Sequence, residues 1–339
     1  VIETLPDTTV SGISKRLVLL RAEGGATTLS RVLTLLIFST SEGLEEAVAA
    51  ANFASREHPM RIIAIALPEG EDRPTWVGEV SRDVRQRELG IGDVPVSGLD
   101  AEIRVGRDAG AGEVIVLRPR GAVAVDPERL VSGLLLADAP VVVWWSDVWP
   151  SRTIDTPLGR LAQRRISDSG GFRDPAAHLT ELASGYRAGD TDLAWSRVTL
   201  WRAQLAAALD NAPERRITGA TVCGTPDSSS TMLLGAWLRL QLGVPVRLLD
   251  LPESAGIEWG IQSVTIHSDD ADTVIERSRG TFAAITQPGH PRLEVPIPRR
   301  GRAQCLVEDL RLLQADQLFG RVLTAGVPLL LADQPEGER

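Results

Sequence analysis

Two apolar runs most constrain what this chain can fold into. Residues 31–38 and 61–67 are rich in Leu, Ile and Val, and lack the polar alternation of a half-exposed strand. Runs of that kind read as strands buried on both faces. Between them a polar turn at 39–43 precedes Leu44, Ala47, Val48 and Ala51, which share a helical face, and Pro59 ends that helix. A strand–helix–strand order calls for parallel strands joined by a right-handed crossover, because only a long connection returns the chain to the same edge. The pattern recurs at 217–223, 228–242 and 244–249, where the helix would bury Met232, Leu233, Ala236, Trp237 and Leu240. The echo fits either an old duplication or the commonness of the unit. Both readings predict an α/β fold of layered sheets and helices.

The remaining segments fill in around these units. Asp7, Thr8 and Thr9 are helix caps ahead of Val10, Ile13, Leu17 and Leu20, and Gly24-Gly25 stops that helix. Residues 101–105 and 113–117 read as strands around a Gly-rich turn, and 80–89 as a short helix. Pro127 opens a helix to Leu136, and 141–145 reads as a strand. Residues 146–190 are broken by Pro and Gly, with helical pieces at 158–163 and 175–182. Val198, Trp201, Leu205 and Leu209 then mark a strong helix. Strands at 261–267, 274–277, 282–286 and 293–297 predict a mixed or antiparallel sheet, followed by helices at 306–313 and 317–325 and a fraying tail from Gln334. The organisation expected is an N-terminal α/β domain over 1–170. A C-terminal α/β domain over 171–339 follows, introduced by a long helix near 193–210.

Charge and composition narrow the function. The 339 residues carry a net charge of −9, so nucleic acid and anionic membranes are poor partners. No run approaches the roughly 20 apolar residues that span a bilayer, and the first residues lack a signal-peptide pattern, so a cytoplasmic location is expected. Lys15 is the single lysine among 36 basic residues, as in a GC-rich genome. Two cysteines and four dispersed histidines make no zinc pattern, and no metal or cofactor is expected. A dinucleotide fingerprint needs G-x-G-x-x-G between a strand and a helix. The nearest glycines, 106–112, follow a strand but lead into another strand. P-loop and nucleophile-elbow motifs are absent.

Several clusters invite both a structural and a functional reading. Arg56, Glu57, His58 and Arg61 surround a helix end, where capping explains most of them and the functional alternative is a surface patch that binds an anion or a partner carboxylate. Arg160, Arg164 and Arg165 fall within two turns of an expected helix, as a solvated face or a docking patch. Trp144 and Trp145 end a strand, where they close a core or meet a partner. Thr225, Ser228, Ser229 and Ser230 lie between a strand and a helix, as an ordinary cap or a sugar-phosphate site, with Asp227 opposing a fully anionic ligand. Cys223 and Cys305 are redox candidates only if the fold brings them together, and buried inert thiols are the commoner case.

Five stretches in order carry a family resemblance. They are Leu5-Pro6-Asp7-Thr8-Thr9, Ser55-Arg56-Glu57-His58-Pro59, Asp138-Ala139-Pro140-Val141-Val142-Val143-Trp144-Trp145, Pro157-Leu158-Gly159-Arg160-Leu161-Ala162-Gln163-Arg164-Arg165-Ile166 and Gly189-Asp190-Thr191-Asp192-Leu193-Ala194-Trp195. Together they resemble the OpcA glucose-6-phosphate dehydrogenase assembly proteins, in their arginine-rich actinobacterial branch. The resemblance implies two α/β domains and a non-catalytic protein. Such a protein binds glucose-6-phosphate dehydrogenase and supports its active oligomer in the oxidative pentose phosphate pathway. It implies that the dehydrogenase, and not this chain, holds NADP and glucose 6-phosphate. It supplies no catalytic residue. The cyanobacterial branch is linked to thioredoxin-dependent control, to which this chain could bring only Cys223 and Cys305. The alternative expectation is a regulatory sensor that binds a sugar phosphate of the same pathway.

Overall fold

The computed structural model describes residues 1–23, 32–67, 77–80, 98–106, 112–124, 127–150, 155–172, 174–210, 215–225, 228–251 and 260–334. The helix expected at 80–89 lies outside them, apart from Val80, which ends a strand. The chain divides into two compact units. The first comprises 1–171 with 189–191 and 302–315, and the second 172–188, 192–301 and 316–339.

The first unit is built on an eight-stranded sheet. Its strands are β1 (Ile2–Leu5), β2 (Leu33–Thr40), β3 (Met60–Leu67), β5 (Gly98–Val105), β6 (Glu113–Arg120), β7 (Val141–Trp145), β9 (Arg164–Ser167) and β10 (Asp190–Asp192), in the order β1-β5-β6-β3-β2-β7-β9-β10. A separate ribbon pairs β4 (Val77–Val80) with β8 (Val148–Pro150). β6, β3, β2, β7 and β9 are mutually parallel. Numbered by chain position, those five run 3-2-1-4-5, the doubly wound order. Every residue of β2 and β3 is buried, as their largely apolar, non-alternating sequence predicts. β5 and β6 pair antiparallel, and residues 107–111 of the Gly-rich turn expected between them lie outside the described residues.

Side-chain alternation divides the core between two faces. Leu36, Phe38, Ile63, Ile65, Ile115, Val143 and Trp145 cluster with Ile13, Leu17 and Leu20 of α1 (Val10–Glu23), Leu130 of α3 (Pro127–Val131) and Leu158 of α4 (Pro157–Leu161). Leu35, Ile37, Ile62 and Ala64 point the other way, where α2 (Leu44–Ala54) packs on β2 and β3. A later segment, α9 (Arg302–Asp309), packs on α2 and buries Cys305 and Leu306.

Among the described residues, three buried arginines stand inside this unit, each with a carboxylate. Arg61 lies directly across the ladder from Glu113, whose carboxylate takes Arg61 Nε and, at 2.7 Å, Arg21 Nη2. Arg164 forks onto Asp309 at 3.0 and 2.6 Å, and Thr191 Oγ1 donates to the same carboxylate at 3.2 Å. Arg165 Nε meets Asp190 Oδ1 at 2.5 Å, and its Nη1 donates to Ala162 O at 2.9 Å. The helix expected over 158–163 ends at Leu161, and the two arginines that follow Gln163 open a buried strand. Gly189, at φ +99°, makes the approach possible, since a Cβ there would stand 2.6 Å from Gln163 O.

The second unit has a six-stranded sheet of β11 (Ile217–Gly224), β12 (Val246–Asp250), β13 (Ile261–Ser268), β14 (Thr273–Arg277), β15 (Phe282–Thr286) and β16 (Leu293–Pro296), ordered β12-β11-β13-β14-β15-β16. Only β11 and β12 are parallel, bridged by α8 (Ser229–Leu242). Ala220 and Val222 face α8, which packs against the C-terminal helical stretch of α10 (Gln317–Arg321), the wide turn Val322–Gly326 and α11 (Val327–Asp333). The other helices are α5 (Pro175–Gly185), α6 (Leu193–Arg197) and α7 (Thr199–Asp210). Gln334, expected to fray, is instead buried. Its side chain accepts from Leu248 N–H and donates to Val246 O, while Asp333 accepts from Val246 N–H. Two side chains thereby complete the outer edge of β12, where an unpaired strand would invite another chain.

Two outcomes test this packing. Arg165→Met should cost about 3–5 kcal/mol in urea unfolding, because Asp190 is left buried without its cation; a cost below about 1 kcal/mol would contradict that role. His178 stacks on Phe172 at 4.2 Å, and burial pushes its imidazole down to about 4. The unfolded chain protonates near 6.5 and the folded chain near 4, so stability should fall as the pH drops through that window. The loss is of the order of 3 kcal/mol, and His178→Leu should flatten that part of the pH profile.

Candidate functional site

In a doubly wound sheet, ligands bind beyond the carboxyl ends of the strands, at the point where strand order reverses. Here that point lies between β2 and β7. The sequence fills it from within. β7 is followed by Ser146 and Asp147, both buried. The Asp147 carboxylate accepts the Thr40 N–H at 3.1 Å and the Thr40 hydroxyl at 2.5 Å, and Ser146 Oγ donates to it at 3.2 Å. Thr40 Oγ1 in turn accepts the Gly43 N–H that opens α2, at 3.1 Å. A Cβ on Gly43 would lie 2.2 Å from Asp147 Oδ2. The carboxylate therefore occupies the space a phosphate would take at the start of α2. Glu45 and Glu46 in the first turn add negative charge, and a hydrogen bond from Arg104 holds the Glu45 carboxyl below its ordinary range. This donor set does not fit a dinucleotide pyrophosphate.

The structure distributes the sequence candidates unevenly. Arg61, Arg164 and Arg165 are interior ion-pair partners, which corrects their reading as surface contacts. Trp144 and Trp145 are also interior, with Trp145 stacked near Phe38 at 6.2 Å. A strand buried on both faces turns its successive side chains into both cores, so neither indole reaches solvent. His58 is half-buried, with Nε2 3.0 Å from Val307 O. Arg56, Glu57 and Arg160 are exposed. Arg56 lies over the exposed Phe53 ring at 5.7 Å, and Glu57 pairs with Arg311 at 3.4 Å beside the exposed Leu312.

In the second unit, Ser228 is the cap of α8, its Oγ accepting the Thr231 N–H at 3.1 Å. Thr225 Oγ1 accepts the Gly260 N–H at 2.9 Å, and Ser229 and Ser230 are buried in the first turn. Asp227 lies outside the described residues. Cys223 and Cys305 are free thiols in different units. Burial pushes the Cys223 thiol up, against a hydrogen bond with Ser263, so it is a poor nucleophile at neutral pH.

Sequence reasoning missed one constellation. In the second sheet, Asp272 Oδ2 is 2.9 Å from His267 Nδ1, and His267 Nε2 is 2.9 Å from Thr221 Oγ1. Register alone unites them: His267 lies opposite Gly219, one strand over from Thr221. An acid–imidazole–hydroxyl relay needs donors aimed at a developing oxyanion. The N–H groups around Thr221 lie in the plane of the sheet between β12 and β13.

A cleft of the first unit, about 420 Å³, is lined by Thr8, Val10, Leu99, Arg129 and Leu130 among others, with no acid–base pair among its described lining residues. Among the described residues no three His, Cys, Asp or Glu side chains are grouped to hold a metal, and no helix is long and apolar enough to cross a membrane.

The filled crevice makes a measurable prediction. Gly43→Ala should destabilise the chain by about 1–3 kcal/mol through the clash with Asp147, and millimolar NADP should leave the thermal midpoint of the wild-type chain unchanged. A midpoint rise of several degrees with NADP would show the crevice open.

Comparison with known proteins places the chain. Residues 51–184 match the model of the glucose-6-phosphate dehydrogenase subunit N-terminal domain, and residues 188–323 that of its C-terminal domain. No curated protein matches. A solved myo-inositol dehydrogenase from Corynebacterium glutamicum is similar at 10% identity and a TM-score of 0.46, over 90% of this chain and 97% of that one. A likeness of that degree carries no argument. The two family models together span most of the sequence in the expected order, and the chain belongs to the OpcA family of glucose-6-phosphate dehydrogenase subunits.

Proposed function

We propose that this chain is a non-catalytic subunit that binds glucose-6-phosphate dehydrogenase, supports its active oligomer and works beside it in the cytoplasm. The observation that carries the reading is the paired match to both domains of a dehydrogenase subunit. The closed crevice at Asp147 supports it, because a chain that fills its own ligand position lends binding energy rather than chemistry. A partner that prefers the active state shifts the equilibrium by its difference in affinity, typically about 1–3 kcal/mol, or roughly 5–150-fold.

Of the contact candidates, Arg56, Glu57 and Arg160 remain at the surface. Arg56 on Phe53 is the strongest, since an arginine stacked on an exposed aromatic has the composition of an interface anchor. Mixing the chain with the dehydrogenase should give a heavier species by size exclusion with light scattering, and raise activity until the two are stoichiometric. Phe53→Ala with Arg56→Glu should weaken that association by about tenfold or more. No heavier species and no activation at micromolar concentrations would overturn the proposal.

A further inference from the structure

One end of the second sheet gathers features that its packing does not require. β11 stops at Gly224, and the first turn of α8 carries no acidic residue. Thr231 in that turn is 5% exposed, and its Oγ1 has no hydrogen-bond partner among the described residues. The hydroxyl is aimed at the end of β11, for a Cβ on Gly224 would stand 2.3 Å from it. An unpaired buried hydroxyl costs about 1–3 kcal/mol, so stability alone would favour valine at this position.

Cations stand beside the same strand end. Arg277 Nε donates to Ile261 O at 2.9 Å, and Ile261 lies opposite Gly224 in the ladder. Its Nη1 donates to Ile297 O at 2.5 Å, and its guanidinium sits 5.3 Å from the Trp201 ring. No carboxylate among the described residues pairs with it. Burial, and then the neighbouring Arg299, push Arg277 down to about 10. Arg299 Nη1 comes within 3.4 Å of a Cβ built on Gly260, and Gly260 and Thr225 are bonded to each other in both directions. Asp250, the exposed last residue of β12, lies opposite Gly224 on the other side. A helix N-terminus and two guanidiniums suit a phosphate dianion, and a carboxylate at the margin suits hydroxyl donors.

We propose that this strand end binds a phosphorylated sugar, with its phosphate at Thr231, the first turn of α8, Arg277 and Arg299, and its hydroxyls at Asp250. The site goes beyond the subunit reading and stands without the dehydrogenase. Titration calorimetry on the full chain tests it with inorganic phosphate, glucose 6-phosphate and glucose. Glucose 6-phosphate should bind, phosphate should bind more weakly, and glucose should give no heat. Thr231→Val should keep or raise the thermal midpoint while weakening glucose 6-phosphate by about tenfold, and Arg299→Gln should weaken it at least as much. Asp250→Asn should weaken glucose 6-phosphate and leave phosphate unchanged. No binding of phosphate or glucose 6-phosphate at 10 mM, or binding kept within twofold in both Thr231→Val and Arg299→Gln, would overturn the proposal.

Discussion

The first unit depends on the cost of burying a guanidinium. Arg61, Arg164 and Arg165 sit in strands whose neighbours are apolar on both faces, where an unpaired charge would cost several kcal/mol. Each needs a carboxylate held at hydrogen-bond distance. Glu113 comes from the adjacent strand, Asp190 from 25 residues away and Asp309 from 145. The demand recruits 189–191 and 302–315 into the sheet and its helical cover. A hydrophobic contact in those places would be tolerant of shape, whereas a forked arginine fixes orientation as well as proximity.

The same logic explains the carboxyl end of the sheet. Doubly wound topology leaves a crevice with free N–H groups at its reversal point, and something must satisfy them. Asp147 and Thr40 do so internally. Those side chains leave the start of α2 no room for a pyrophosphate. Phe53, Arg56 and Leu312 lie exposed near the end of α2 and in the segment after α9.

Much of the fold was legible. The largely apolar strands β2 and β3, the helix Thr199–Asp210 with Trp201 and Leu205 on its buried face, and the four strands β13 to β16 follow from periodicity, and the structure makes that last run antiparallel. The misreadings share a cause. Arg164 and Arg165 look like a solvated helix face because charge is normally exposed, and only their distant carboxylates reverse that expectation. Gln334 looks like a frayed tail because polar residues near a terminus usually are, and only the open edge of β12 gives it work. β1 and β10 are too short to announce themselves. The candidate sites were legible as residue types but not as places, so Arg56 and Arg61, five residues apart, end at the surface and in the core.

Most of the secondary elements, the α/β class and the family were legible in the sequence, because these rest on local periodicity, capping and the order of short motifs. Only the tertiary structure decided that Asp147 seals the crevice, that Asp309 and Asp190 neutralise buried arginines, and that Thr231 and Arg277 share one strand end with Arg299 close by. Those facts depend on residues brought together from far apart in the chain. Local pattern carries no record of such distances, and electrostatics and hydrogen bonding act through them.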